Sequence, residues 1–463
     1  APGKNAFRLE GIPAVNTRAE ATRPDALYKL EIRQYKEDGT YLNGYGPADQ
    51  ALGQKLTVEL TEARGCQLVL VAWGQNSDRS LGSKNLAAAQ AVSIDAAVIN
   101  AIPADQMNAM PYVLHLKQVD VTGSGADGVI SNPEGKDVRL LLKRLAARLN
   151  ISWDYQVSDY TLSQILLQSI PLDYKVVAAP DEQANQTYPS LLDQYTTLRL
   201  SDEEIARGSY SCWIPANVRG VNTAATSPQY RTKTNAPIGS AYASFIAVNR
   251  ADPKKKLNYR VYLGGEDYSD FNLYENTDYN YHVRFSHRGI PTDDYRVTYI
   301  DPKPASENNE NFVPTANCFM VAPGSAFCFD PFMFRQDGKD IENETLSGWA
   351  ASNGEGGIAS VKLLWQTKEN GDIGEPVMGS VNMDDPDDLS KDDHTNIVDM
   401  KKNNGDEVSA LSPLTGKGQG RIYCSVAPNT TGGSGLIAAY NVKNEIIWSW
   451  HIWVTDYHPD ATG

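Results

Sequence analysis

The residues of this 463-residue chain that could do chemistry are six histidines, five cysteines and one dense run of aspartates. Their spacing argues against most enzymatic uses. The histidines are His115, His282, His287, His394, His451 and His458. No HExxH occurs, so the common helical zinc-protease site is missing. His282 and His287 stand five apart in a strand-like run and therefore point to opposite faces. His451 and His458 are separated by a turn that ends in proline. There is no GxSxG elbow and no phosphate-binding loop. Gly123-Ser124-Gly125 and the stretch from Gly432 to Gly435 read as flexible turns. The cysteines, at 66, 212, 318, 328 and 424, contain no CxxC, which excludes a zinc ribbon or thioredoxin motif. Cys318 and Cys328 can pair across a hairpin or stay as buried free thiols.

The aspartate run comprises Asp384, Asp385, Asp387, Asp388, Asp392 and Asp393. Clustered carboxylates suit calcium, but the spacing is not that of an EF-hand and the mid-loop glycine is missing. A solvated surface loop is the commoner use of such a run. Glycoside hydrolysis needs two carboxylates at a set separation in space, which spacing along the chain leaves open as a remote alternative. Aromatics offer a second chemistry. Ile446, Trp448, Trp450, Ile452 and Val454 share one strand face, with His451 and Trp453 on the other. One face must be core. His451 and Trp453 are candidate ligand-facing residues that could stack on a sugar, although cross-strand packing is the more common use. No catalytic constellation, metal site or cofactor is expected, and the chain reads as a non-enzyme.

Composition bounds the partners. The net charge is -15, and an acidic chain repels phosphate backbones, so no nucleic-acid partner is expected. With 41% hydrophobic and 21% charged residues the chain can fold and bury cores. Its length suggests two to four domains. No apolar run approaches the ~18–20 residues that cross a bilayer as a helix. The chain begins at Ala1 without an initiator methionine, so it reads as a processed form whose targeting segment is not visible.

The elements that must position these residues are mostly strands. Tyr28, Leu30 and Ile32 alternate with Lys29, Glu31 and Arg33, which predicts a half-buried strand ended by the Asp38-Gly39 turn. Leu56, Val58 and Leu60 alternate with Thr57 and Glu59. A turn at Arg64-Gly65 then leads into the apolar run Cys66 to Trp73, which predicts an antiparallel hairpin. The stretch from Asp137 to Leu149 carries Val138, Leu141, Leu142, Leu145 and Leu149 at helical spacing with Arg139, Lys143, Arg144 and Arg148 outside, which predicts one helix. A short helical turn is expected over Glu203 to Arg207. Further strands are expected at 259–263 and 279–285, and a Pro-rich polar linker at 301–311. A last β unit comprises 318–321, 360–365, 422–426, 436–440 and 446–455. No internal repeat is visible, so β-sandwiches in series are favoured over a propeller or solenoid.

Several segments together resemble the Bacteroidetes fimbrillins, the subunits of a surface fibre. These are Cys66 to Gly74 (CQLVLVAWG), Leu140 to Asp154 (LLLKRLAARLNISWD) and Tyr210 to Asn222 (YSCWIPANVRGVN). The strongest is Tyr259 to Phe285 (YRVYLGGEDYSDFNLYENTDYNYHVRF). Ala216 and Glu275 depart from the family's usual acidic and basic residues. The resemblance covers roughly residues 19–300. The strings NCFMVAPGSAFCF and IWSWHIWVTDYHP resemble a further domain of larger fimbrillin-like proteins. The resemblance implies a mainly β fold of tandem transthyretin-like, Greek-key sandwiches with one packed helix in the N-terminal domain, plus a third β-rich domain. The expected domains are 1–172 (strand-accepting), 173–300 and 312–463. It implies a lipoprotein precursor exported through the periplasm to the outer membrane. An arginine-specific protease removes an N-terminal strand, and the next subunit donates a strand into the groove. In this chain Phe7, Leu9 and Val15 are the expected displaced strand, and Arg18-Ala19 the expected cleavage bond. Arg23 precedes Pro24 and is the poorer candidate. Other fimbrial subunits, that protease, and a host or bacterial glycan or protein are the expected partners. Because a third domain follows, a tip or accessory subunit is expected, with a surface glycan-binding protein as the alternative.

Overall fold

The computed structural model of the chain is mainly β. It describes residues 3–8, 23–123, 125, 128–133, 140–177, 188–189, 195–253, 255–285, 297–300, 310–322, 325–352, 356–367, 378–379, 398–426 and 432–455. Two compact units emerge, one of residues 1–156, 170–242 and 262–285, the other of residues 157–169, 243–261 and 286–463. Among the described residues no helix is long and apolar enough to cross a membrane.

The first unit begins with β1 (Gly3–Arg8), β2 (Ala26–Tyr35), β3 (Tyr41–Ala51), β4 (Lys55–Leu60) and β5 (Ala63–Ala72). β2 lies between β3 and β5, and the strands Tyr112–Thr122 and Val129–Ser131 extend the sheet beyond β5, all antiparallel. Leu30 and Ile32 of β2 and Leu68 and Leu70 of β5 are buried in the core. Val69 and Val71 are buried too, as a continuous apolar run requires of a strand covered on both faces. The anticipated hairpin does not form: β5 pairs with β2 and Tyr112–Thr122, while β4 pairs with β1. Gly65, at φ +60°, sits in a break of register within β5 and donates its N–H to Asp120 Oδ1 at 2.7 Å.

The other face of β2 also departs from expectation. Glu31 and Arg33 are buried rather than solvated. Glu31 accepts hydrogen bonds from Trp73 Nε1 at 2.7 Å and the Leu81 amide at 2.8 Å, and from the Ser80 hydroxyl and the Arg33 guanidinium. Arg33 Nε donates to Gly82 O at 2.9 Å and Nη1 to Tyr45 O at 2.7 Å. A buried charge pair persists when its remaining donors and acceptors are satisfied, and here they are.

The helix expected over Asp137–Leu149 is corrected over its described part. Residues 140–149 hold the short strand Lys143–Arg144 and the start of the strand Ala147–Tyr155. Ala147, Leu149, Ile151 and Trp153 are buried in alternation, which is a period of two. The leucines satisfy helical and strand periods together, and tertiary pairing decides. Ala147–Tyr155 is laddered antiparallel to Ser209–Ile214 and parallel to Asp278–Phe285. The helices of this region lie upstream, at Leu86–Gln90 and Ala96–Asn100, each resting buried apolar residues on the core.

Two of the three arginines expected on the outside of that helix, Arg144 and Arg148, are drawn inward. Arg144 donates to Asp278 Oδ1 at 2.6 Å, to Thr277 O at 3.0 Å and to Ala146 O at 3.0 Å. Arg148 bonds the other oxygen of Asp278. Both guanidinium groups lie against the Trp213 ring, at 4.9 and 5.7 Å. Burial lowers the Arg144 pKa, and Asp278 opposes that shift.

The second unit contains a self-contained two-sheet sandwich. One sheet orders Glu310–Phe312, Ala326–Phe329, Gly420–Val426 and Met378–Gly379, with Val398–Lys402 also paired to Gly420–Val426. The other orders Cys318–Val321, Ile446–Val454, Gly433–Tyr440 and Ser360–Gln366. The short helix Glu344–Ala351 contributes Leu346 and Ala350 to the core. Phe319, Phe327, Phe329 and Trp450 fill the centre, with Phe319–Phe329 at 4.5 Å and Phe329–Trp450 at 5.1 Å between ring centroids. Cys318 lies in one sheet and Cys328 in the other, and none of the five cysteines is disulfide-bonded. The strands Tyr160–Pro171, Tyr242–Asn249, Lys256–Tyr262 and Val297–Ile300 run side by side in a further sheet.

Two outcomes follow for stability. Asp278→Ala leaves two arginines without their carboxylate and should cost about 3–5 kcal/mol. A lowered urea midpoint checks it, and combining it with Arg144→Met and Arg148→Met should recover much of the loss. His115, 2.9 Å from Gln67 Oε1, has its pKa pushed down to about 4 by burial and by Lys117. The unfolded chain therefore takes up this proton first, near its ordinary value of ~6.5. Stability should fall as the pH drops from about 6.5 to about 4. Urea titrations of His115→Gln over this range should show a flatter profile.

Candidate functional site

β4 is the element whose position calls for explanation. Its burial alternates strictly: Leu56, Val58 and Leu60 are buried while Lys55, Thr57 and Glu59 are exposed. Among the described residues its ladder partner is β1 alone, antiparallel over the whole length of both strands. The register sets Phe7 opposite Leu56, Asn5 opposite Val58 and Gly3 opposite Leu60. Phe7 is thus in the expected N-terminal strand, whose described extent is Gly3–Arg8. Leu9, Val15, Arg18 and Ala19 lie outside the described residues.

Side chains, not strands, tie β4 to the main sheet. The buried Gln34 of β2 donates from Nε2 to Thr61 O at 2.7 Å and accepts the Thr61 amide on Oε1 at 2.7 Å. This pair of bonds imitates a ladder rung just beyond the end of β4. Asn43 of β3 donates from Nδ2 to Glu59 O at 3.1 Å. Gln50 reaches the Gln54 carbonyl at 3.2 Å in the turn that precedes β4. Sequence reasoning missed these anchors. The one faint signal is a glutamine at an interior position of an apolar strand.

The segments that carry the family resemblance are structural clamps. Asn276, at φ +56°, accepts the Arg144 amide on Oδ1 at 3.1 Å and donates its own N–H to Ala146 O at 3.1 Å. The Tyr281 hydroxyl donates to Gly264 O at 2.6 Å and accepts the Gly264 amide at 2.7 Å. The Tyr279 hydroxyl accepts the Tyr274 amide at 2.7 Å. Arg231 lies 4.4 Å from the Phe271 ring centroid and donates to the carbonyls of Tyr268 at 2.7 Å and Asp270 at 2.9 Å. These groups hold backbone rather than face a ligand.

The His451 and Trp453 pair stands on the solvent side of the four-stranded sheet in the second unit. Trp450, Ile452 and Val454 face the core, which decides the orientation of that strand. Trp453 is 45% exposed and is opposite Met320, itself 46% exposed. Trp365, 50% exposed, is opposite Leu436, which in turn is opposite His451. Trp365 and Met320 were not anticipated; in the strand of Trp365, the bulge between Leu363 and Trp365 shifts the alternation. His451 Nε2 lies 2.8 Å from Ser434 Oγ. The acidic run at 384–393 lies outside the described residues, as do His287, His394 and His458. Among the described residues no group of three or more His, Cys, Asp and Glu is placed to hold a metal ion.

A family model described as a domain of unknown function, DUF4906, matches residues 212–283. No curated protein matches the chain. Solved structures that are similar to it include the tip fimbrial protein Mfa3 from Porphyromonas gingivalis with a C-terminal truncation. That match has 16% identity and a TM-score of 0.41, and covers 65% of this chain and 98% of that one. A fimbrilin (fimA) from the same organism is similar at 11% identity and a TM-score of 0.41, over 64% of this chain and 95% of that one. The fimbrial anchor protein Mfa2, also from P. gingivalis, is similar at 9% identity and a TM-score of 0.34, over 65% and 95%.

Gln34→Leu removes the rung to Thr61 and leaves that amide and carbonyl unpaired. The expected loss is about 1–3 kcal/mol. Amide hydrogen exchange should quicken along β4 and at Thr61 more than in β2 or β5. Uniform protection across the three strands would contradict the anchoring role.

Proposed function

We propose that the chain is a structural and adhesive subunit of a cell-surface fimbrium, assembled by protease-triggered strand exchange. The observation that carries this reading is the full-length pairing of β1 with β4. A strand that bonds along one edge is one that can be removed and replaced without rebuilding the main sheet. Removal exposes the N–H and C=O groups of β4 together with the core row of Leu56, Val58 and Leu60. A strand from another subunit supplies the same hydrogen bonds and alternate side chains. In this reading an arginine-specific protease cuts at Arg18-Ala19. The precursor is a lipoprotein that reaches the outer membrane through the periplasm.

The position in the fibre is part of the same proposal. The sandwich of residues 310–454 draws its core from its own residues, Phe319 to Val454. It supports a separate C-terminal domain, within a division into 1–172, 173–300 and 312–463. A chain that continues into such a domain suits a tip or accessory place better than a repeating stalk. A second reading rests on the exposed Trp365, Met320 and Trp453, which form an aromatic-rich face able to stack on sugar rings. It is compatible with a tip adhesin.

Brief trypsin treatment of the folded protein should give Ala19 as the first new N-terminus. Cleaved protein should then take up a labelled peptide of residues 1–18 in exchange for its own. A first cut elsewhere, or a cleaved chain that never exchanges the peptide, would remove the mechanism. Self-assembly of cleaved protein into long fibres would remove the tip placement alone. On a glycan array, Trp453→Ala should weaken any binding shown by the intact chain, and no binding by the intact chain would remove the second reading.

A further inference from the structure

The solvent face that carries Trp453 also carries a line of three side chains with a different chemistry. Cys318 and His451 are opposite each other on neighbouring parallel strands, and Ser434 lies on the next strand over. Cys318 Sγ is 3.7 Å from His451 Nδ1, and His451 Nε2 is 2.8 Å from Ser434 Oγ. When Nε2–H donates to the serine oxygen, Nδ1 is left bare and aimed at the thiol. This is the order nucleophile, base, orienting group that activated cysteines use. All three sit on laddered strands, so their spacing is held by the sheet.

The remaining cysteines throw this one into relief. Cys66, Cys328 and Cys424 are fully buried and Cys212 is 2% exposed, whereas Cys318 is partly exposed. The chain has an odd number of thiols and pairs none of them. An odd, reachable thiol is the one that oxidation or exchange will find. Burial raises the Cys318 pKa, so its proton needs an acceptor close by before the sulfur can attack.

We propose that Cys318, His451 and Ser434 form a thiol–disulfide exchange site that takes low-molecular-weight disulfides. Cys318 Sγ attacks one sulfur of the disulfide as its proton passes to His451 Nδ1. The S–S bond of the small molecule breaks. The departing thiolate takes the proton from the imidazolium. One mixed disulfide at Cys318 and one free thiol result, with no other oxidant or reductant consumed. His451 is the base, and Ser434 is a positioning residue that fixes the imidazole tautomer. The site stands apart from the strand-exchange reading and does not depend on it.

The test uses the reduced, desalted full chain and dithiobis(nitrobenzoate), with release of the coloured thiol followed over time. One thiol per chain should react rapidly, and Cys318→Ser should abolish that phase. His451→Gln should slow it by at least about tenfold while leaving the urea midpoint unchanged. Ser434→Ala should slow it a few-fold, and Ser434→Thr should restore the rate because the hydroxyl is kept. Incubation with cystine should add one half-cystine to the peptide that contains Cys318. A wild-type rate in His451→Gln would show that exposure alone sets the reactivity and would overturn the proposal. Labelling that begins at another cysteine, or a disulfide-linked dimer in place of the small adduct, would overturn it as well. Should His451→Gln fail to fold, the Ser434 pair decides: loss with Ala and rescue with Thr support the site, and equal rates in all three chains sink it.

Discussion

A strand whose side chains belong to a core but whose backbone lies at an edge must find partners for its N–H and C=O groups. β4 is under that constraint. Leu56, Val58 and Leu60 commit it to the core, so it cannot drift into solvent to satisfy its backbone. It lies outside the ladder order that runs from β3 through β2 to β5. Each net hydrogen bond is worth only about 0.5–1.5 kcal/mol, but a buried group left unpaired costs about 1–3 kcal/mol. Edge groups left open to water exchange their ladder bonds for bonds to water, so the ladder to β1 contributes only that modest sum. In the proposed strand exchange, a strand of suitable register from another subunit supplies the same bonds.

The rest of the first unit is held by contacts that do not use this edge. On the second face of the main sheet, Glu31 and Arg33 form a buried hydrogen-bonded network with Trp73 and Gly82. Asp278 holds two arginines from the Arg144–Arg148 segment, and Asn276 fixes the backbone beside them. Gln34 and Asn43 secure β4 from the side away from its ladder. None of these contacts involves β1. The polar clamps elsewhere in the unit and the ladder of β4 to β1 are the features on which the proposed strand exchange rests.

How much of this was legible in the sequence follows from what kind of signal each element leaves. Strands with one buried face, such as β4 and Ile446–Val454, show their period directly and were read correctly. Residues 140–149 were misread because Leu141, Leu142, Leu145 and Leu149 fit both periods, and only the ladders to Ser209–Ile214 and Asp278–Phe285 choose between them. Pairing partners were less legible than strands. The turn at Arg64-Gly65 suggested that neighbours in sequence are neighbours in the sheet, yet β4 and β5 separate. Charged residues were the least legible. Glu31, Arg33, Arg144 and Asp278 look like surface residues until the partner, up to 134 positions away, is known.

The outer sheet face shows the same limit from the functional side. Alternation alone set Trp450 and Trp453 on opposite faces and left the core face open; the structure buries Trp450, leaves Trp453 exposed and half-buries His451. What surrounds His451 and Trp453 was not legible. Cys318, Ser434, Met320 and Trp365 come from three other strands, and they meet His451 and Trp453 only because parallel and antiparallel pairing places those strands side by side. A cysteine more than a hundred residues from its histidine leaves no motif. The chemistry of this face lies in strand order and register, and a single strand read by itself reports its orientation without its neighbours.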